Sequence, residues 1–482
     1  MITLGLIALP LVSAVLLLFM QGESTKKIAF IATLIELGLA LAAVAQFTAD
    51  ASVQFAVNFP WVASAGINFS LGMDGISLLL VILTTFLMPW IVLSTFKHHY
   101  KNPSAFYALI LFMQAALIGV FTAQDAVLFY LFWEAALIPV YFLAGIWGGE
   151  RRVAVTFKFF IYTIFGSLFM LVALAYLYFQ TPGNHSSSLE AFYALKLDES
   201  AQCYVFWALF LAFGIKMPVF PFHTWQPDTY TEAPTPATML LSGIMLKMGI
   251  YGVIRWLLPV VPQAAAHWGT LAIVLSVIGI IYGSIIAIKQ QNVKRLIAYS
   301  SFAHVGLMAA GVFSLTQNGL QGAMVQMLSH GINVVGLFFI VEIIYSRIQT
   351  HEIERMGGIT RNTPALTIFF MILMLGSVAL PLTNGFVGEF LLLSGVFQYN
   401  VWFGAIAGVT IILGAVYMLR MFQGVMFGEQ SSLTTNFGDI SFVEKATLFP
   451  LALMVFWIGL YPAPFLNMTA PAVEHLLQVI AR

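Results

Sequence analysis

Residues 214–223 read Gly214-Ile-Lys216-Met-Pro218-Val-Phe-Pro221-Phe-His223, closing an apolar run that begins near residue 201. A proline brings no N–H to a helix and its ring crowds the preceding turn, so two of them end the helix here. Inside a membrane such a break is tolerated where the freed backbone groups line a polar cavity, and breaks of this kind mark transport sites. A second break stands at Leu380-Pro381-Leu-Thr-Asn384-Gly385, near the middle of an apolar segment from about 365 to 397. As one helix that segment would run roughly 50 Å, well beyond the ~30 Å hydrocarbon core.

The rest of the chain supports the membrane reading. It has 482 residues, of which 60% are hydrophobic and only 8% charged, with a mean hydropathy of +0.93. A soluble domain carries about 25% charged residues. Apolar stretches predict about fourteen spans, with cores near 2–20, 28–47, 74–96, 104–122, 126–147, 155–179, 201–222, 236–258, 269–288, 294–314, 319–345, 365–397, 403–427 and 446–464. The breaks fall in spans 7 and 12, five apart. Spans 4–8 and 9–13 are therefore expected to form two five-helix repeats, the second inverted because five crossings is an odd number. The expected fold is an all-α polytopic membrane protein of about fourteen transmembrane helices, with helices 7 and 12 discontinuous. It divides into N-terminal helices (1–103), a first repeat (104–262), a second repeat (263–428) and a last helix with its tail (429–482). The polar stretches 48–73, 181–200 and 428–445 read as connectors.

Lysine and arginine test the topology independently. Loops after odd-numbered spans, with their flanking helix ends, hold fifteen of these residues; loops after even-numbered spans and the tail hold only Lys196 and Arg482. Basic loops face the cytoplasm, so both termini are expected on the outer side, the bacterial inner membrane being the first choice of location. Met1–Met20 has no basic leader region and no small-residue cleavage site, and reads as a first span.

Several functions are excluded. A net charge of zero gives no footing for nucleic acid. The single Cys203 rules out an internal disulfide and a cysteine-ligated iron–sulfur cluster. There is neither a phosphate-binding G-x-x-x-x-G-K-[ST] loop nor a dinucleotide G-x-G-x-x-G turn.

What remains is a set of ionisable groups inside spans: Glu134, Lys216, Lys247, His304, His330 and Glu389. Each costs ~3 kcal/mol or more near the bilayer centre, so together they point to a path for protons or ions. Glu134, in Phe132-Trp-Glu134-Ala-Ala-Leu-Ile-Pro139, needs a cation to stay ionised, and Lys216 is the nearest in register. The pair either locks two helices or opens when a proton arrives. Lys247, in Met245-Leu-Lys247-Met248-Gly249, has no acid in its own segment. His304 and His330 are relay candidates, or hydrogen-bonded packing residues. Glu389 follows the second break, where an acid suits a terminal loading site. Asp74 reads as a helix cap, Glu36 and Arg255 as structural charges, and His98, His99 and His223 as solvated loop-edge residues.

The segments Phe132–Arg152, Gly214–Asp228, Ala233–Pro236, Leu246-Lys247, Lys294–Ser301 and Gly388-Glu389-Phe390 resemble the antiporter-like subunits of respiratory complex I, the proton-pumping NADH–quinone oxidoreductase. Glutamate at 389, where sister subunits carry lysine, resembles the M (mitochondrial chain 4) type. The resemblance implies a gating pair in Glu134 and Lys216, a central carrier in Lys247, a bridge through His304 and then His330, and an exit-side acid in Glu389. It also implies no cofactor in this chain, with FMN, iron–sulfur clusters and quinone in other subunits. The expected partners are two sister antiporter-like subunits and small membrane subunits. A multisubunit cation/proton antiporter, a membrane-bound hydrogenase and a passive spacer stand as alternatives.

Overall fold

The computed structural model describes residues 1–481; Arg482, counted above among the outer residues, lies outside the described residues. Among the described residues, eleven helices of 18 residues or more are long and apolar enough to cross a membrane, from Ser24–Gln46 to Phe442–Leu460. At the other three predicted positions lie the shorter Ile2–Leu18, the Glu199–Lys216 helix that ends at the first break, and span 12, split into Pro364–Ser377 and Asn384–Tyr399. Both breaks are where proline predicts them.

Burial sorts the helices into shells. Span 8 (Thr235–Leu257) is wholly buried, and spans 10 (Val293–Phe313) and 11 (Gln317–Ile348) are 94% buried over their most apolar stretch. In Ser24–Gln46 and Val401–Met426 only a third of that stretch is buried, the remainder being a belt of exposed Leu, Ile, Val and Phe. Lipid-like surroundings explain that belt; the inner helices touch only protein. Lys247, His304 and His330 all ride on the inner three.

Three features depart from expectation. The connector 48–73 is not irregular: Gln54–Val62 and Ile67–Met73 form an antiparallel hairpin with Phe59 paired to Phe69. Phe55, Val57, Phe59 and Trp61 alternate along its first strand, a period-2 signal in a stretch too short and polar for a span. Its turn needs Gly66, whose φ is +62° and whose missing side chain makes room for the His185 carbonyl.

The tail beyond span 14 is also ordered, as helix Ala463–Ile480. Phe465, Thr469, Ala472, Val473, Leu476 and Val479 form its buried stripe at helical spacing, packed on span 3 (Gly75–Ser94) and span 11. Thr469 Oγ1 donates to Gln321 Oε1 at 2.9 Å to fix the crossing.

Third, span 8 is distorted although its one proline, Pro236, lies in the first turn, where a helix tolerates it. Leu246 N–H donates to Leu241 O (3.1 Å) and Leu258 N–H to Val253 O (3.0 Å), each five residues back. Such wide turns inside an α-helix are characteristic of functional positions.

Candidate functional site

At the first break the backbone can be accounted for group by group. Pro218 has no N–H to offer Gly214 O, which accepts from Val219 N–H at 2.8 Å. That leaves Ile215 O without its regular donor, and the Trp225 indole N–H fills the place at 2.9 Å. The helix therefore stops on Lys216 and restarts as Trp225–Glu232. Beneath it, Asp228 sits between Lys158 Nζ and Arg295 Nη1, both at 2.9 Å, and ties spans 6 and 10 to the restart.

Lys216 is buried, and its ammonium has no hydrogen-bond partner. It stands 5.4 Å from the Trp133 ring centre and 6.0 Å from that of Phe159, within cation–π range. Glu134, one residue from Trp133 on Ala126–Ala135, is half-buried with Oε1 unpartnered. The expected Glu134–Lys216 pair is thus not closed here. Aromatic faces hold the cation in place of the carboxylate, which the indole of Trp133 makes possible.

Lys247 is fully buried, with one partner on its own span and one on another. Because Leu246 N–H reaches back to Leu241, the Ser242 carbonyl lacks its regular donor, and Lys247 Nζ donates to it at 2.6 Å. The same Nζ lies 2.9 Å from His330 Nδ1 on span 11. With the ammonium donating, Nδ1 is the acceptor, and a neutral imidazole then carries its proton on Nε2. That Nε2 is buried without a protein partner.

His330 and His304 face each other with ring centres 5.8 Å apart. Between them is a cavity with room for about one water, lined also by Ser300, Ser301, Gln326 and Asn333. Ser301 Oγ, His304 Nε2, His330 Nε2 and Gln326 Oε1 are buried around it without protein partners, the polar lining that a water requires. On the far side His304 Nδ1 lies 2.9 Å from Glu389 Oε1, and Gln326 Nε2 donates to the same oxygen at 3.4 Å. Glu389 is 3% exposed, buried rather than at an interface.

The second break is stitched to the histidine helix. Asn384, the first residue of Asn384–Tyr399, exchanges amide hydrogen bonds with Asn333 (3.0 and 3.1 Å), and its carbonyl accepts from Ser329 Oγ at 3.0 Å. Ser329 and Asn333 flank His330 on its own helix. The spatial order is Lys247, His330, His304, Glu389. This reverses the expected order of the histidines, because Lys247 Nζ meets His330 on span 11 while Glu389 Oε1 meets His304 on span 10.

Some groups escaped the sequence reading. Asp74 caps its helix as expected, accepting from Ser77 N–H at 3.0 Å, but it also meets Arg255 Nη2 at 2.5 Å across spans 3 and 8. A lone acid and a lone base at matching ends of those spans were the available signal. Gln326 and Asn333, uncharged members of the file, gave none. His223 is not solvated: it is buried and stacks on Phe302 at 4.4 Å. His98, half-buried, lies 3.7 Å from Glu342, while His99 is exposed.

A broken-helix bundle with a buried row of lysine, histidine and glutamate defines a class, the antiporter-like membrane transport subunit. Residues 123–414 match the family described as NADH:quinone oxidoreductase/Mrp antiporter, and residues 6–120 match the NADH-ubiquinone oxidoreductase chain 4 amino terminus. The chain is 40% identical to NADH-quinone oxidoreductase subunit M of Rickettsia typhi, over 98% of this chain and 97% of that one. It is 36% identical to NADH-ubiquinone oxidoreductase chain 4 of Marchantia polymorpha, over 98% and 96%. A chain of respiratory complex I from Thermus thermophilus, solved with bound NADH, superposes with a TM-score of 0.93 at 30% identity and covers both chains in full. The chain belongs to the NADH-quinone oxidoreductase subunit M (chain 4) family.

Proposed function

We propose that the chain moves protons as the M-type antiporter-like subunit of an NADH–quinone oxidoreductase, and that Glu134, Lys216, Lys247, His330, His304 and Glu389 carry them. The observation behind this reading is the file Lys247 Nζ–His330 Nδ1 (2.9 Å), His330–His304 across a water-sized cavity, and His304 Nδ1–Glu389 Oε1 (2.9 Å). A proton given by Lys247 to His330 Nδ1 lets the Nε2 proton leave through a water to His304 and on to Glu389. Each charge carried outward across the membrane against ~100 mV stores about 2.3 kcal/mol. Closing Glu134 onto Lys216 would withdraw that cation from its aromatic cradle and alter the field at Lys247.

Electron transfer belongs to other subunits in this proposal, which hold FMN, iron–sulfur clusters and quinone. Its neighbours are two sister antiporter-like subunits and small membrane subunits. The repeats 104–262 and 263–428 are inverted copies, both termini are on the outer side, and the membrane is a bacterial inner membrane. The test is Lys247→Ala and Glu389→Gln in the assembled, reconstituted complex. Proton pumping per NADH is expected to fall while quinone reduction persists at a reduced rate. Wild-type stoichiometry in both variants would reject the path.

A further inference from the structure

Beyond the path itself, span 8 carries a second polar cluster that the file does not use. Lys247, Tyr251 and Arg255 stand four residues apart on one helix, with Arg255 about 12 Å beyond Lys247 toward the end of the bundle poor in lysine and arginine. There Arg255 Nη2 meets Asp74 Oδ2 (2.5 Å) and donates to Ser77 Oγ (3.4 Å), which in turn lies 3.2 Å from Tyr251 Oη. Tyr251 donates to the Phe121 carbonyl at 3.0 Å, and the guanidinium carbon lies 5.8 Å from the Tyr251 ring centre. Asp74 and Arg255 are only 4% and 8% exposed.

Immediately beyond the cluster opens a cavity of about 680 Å³, lined by Tyr193, Lys196, Gln202, Gln263 and the end of the C-terminal helix. Tyr193, on the vestibule wall, donates to the backbone carbonyl of Arg255 at 2.7 Å, so the wall touches the residue that anchors the cluster. Water in the vestibule therefore comes within one side chain of a polar row that leads back toward Lys247.

We infer that the Asp74–Arg255 cluster is a proton seal, which closes Lys247 off from this vestibule. A guanidinium is a fixed cation that does not give up its proton, so it can neither relay a proton nor let one pass close by without repulsion. Asp74 holds it on the stretch of span 8 between the vestibule and Lys247, and its own Oδ1 is taken up by the Ser77 N–H. Tyr251 gives its hydroxyl proton to the Phe121 carbonyl and Ser77 gives its own to Tyr251 Oη, which leaves no continuous file to Lys247. The carrier then exchanges protons only through the path of Proposed function, on which the inference rests. A pump needs such one-sidedness, because a carrier open to both faces dissipates the gradient it builds.

The experiment measures passive proton flux, with no NADH present, in liposomes holding the intact complex under a potassium-diffusion potential. The charge-free pair Asp74→Asn/Arg255→Gln is expected to raise the flux by about tenfold or more. Adding Lys247→Ala is expected to bring the flux back to the wild-type level, since the leak would run through that lysine. If the pair does not assemble, Tyr193→Phe, which removes only a hydroxyl, is measured instead and is expected to raise the flux by a smaller factor. Wild-type flux in the assembled variants overturns the inference, and wild-type flux with lost pumping reassigns the cluster to proton release. The Lys247→Ala pumping result bears on the proposed path and is read separately, so the two readings can fail independently.

Discussion

An ammonium held 2.6 Å from one carbonyl and 2.9 Å from an imidazole, with no carboxylate in contact, has a ready acceptor for its proton. Either it stays charged through those hydrogen bonds or it gives its proton to the imidazole, and the geometry serves both states. That duality is what a carrier needs and a structural ion pair lacks. Asp74–Arg255 is the opposite case: removing one partner strands a buried charge. Arg255→Met or Asp74→Ala alone is therefore expected to destabilise the folded subunit by about 3–5 kcal/mol, and removing both charges by less. A double-mutant cycle on thermal stability checks this. Glu36 differs again, buried with both oxygens unpartnered. Glu36→Met is expected to be neutral or stabilising by about 1 kcal/mol, with pumping intact. A pumping defect in that variant would move Glu36 from structure to function.

His351, in the loop after span 11, offers a pH handle outside the membrane. Burial and then the nearby Lys294 ammonium push its pKa down to about 4, and its ring lies flat on Tyr345 at 4.2 Å. Its folded pKa is below the unfolded value, so the unfolded chain takes up a proton first on acidification. Stability present above about pH 6.5 is lost as pH falls toward 4, by up to about 3 kcal/mol. The melting temperature of wild type should drop across that window, and His351→Phe should flatten the slope. The sequence placed all six candidate residues inside spans because a charge in an apolar run is conspicuous. It could not order the histidines or find Gln326, since neither contact partners nor neutral relays leave a periodic trace.

At the level of the element, the two breaks were legible because proline removes a backbone donor wherever it stands. The distortion of span 8 was not, since the wide turn at Leu241–Met245 arises from packing. Gly249 explains part of that packing: a side chain there would meet Phe213 O and Met217 N at 2.7 Å, so the helix runs directly against the first break. Gly249→Val is expected to push the two apart at a cost of about 1–3 kcal/mol, seen as poorer assembly and lower pumping with an unchanged fold elsewhere. Trp225→Phe tests the break itself. It leaves Ile215 O without its indole donor and is expected to cost about 1–3 kcal/mol in thermal stability. The hairpin and the C-terminal helix were written in period-2 and helical stripes too short to compete with the membrane signal around them.

For the whole molecule, charge asymmetry makes a prediction that burial does not. With Cys203→Ser as background, a cysteine at Asn184 should react with an impermeant reagent from the outer face. One at Glu354 should react only after the membrane is opened. The opposite pattern would invert the proposed topology while leaving the buried file untouched.

Span 8 touches no lipid along its whole apolar stretch, and this bears on how the chain is made. A helix with Lys247 and Arg255 inside it carries ~3 kcal/mol of insertion penalty for each charge placed near the bilayer centre. Partners that relieve the penalty, His330 and Asp74, lie on spans synthesised well after it and well before it. In chain order, the acid that pairs with Arg255 is made before span 8 and the imidazole that meets Lys247 after it. With the acid first and the imidazole last, one end of the helix has its counter-charge available in the chain long before the other has its hydrogen-bond acceptor.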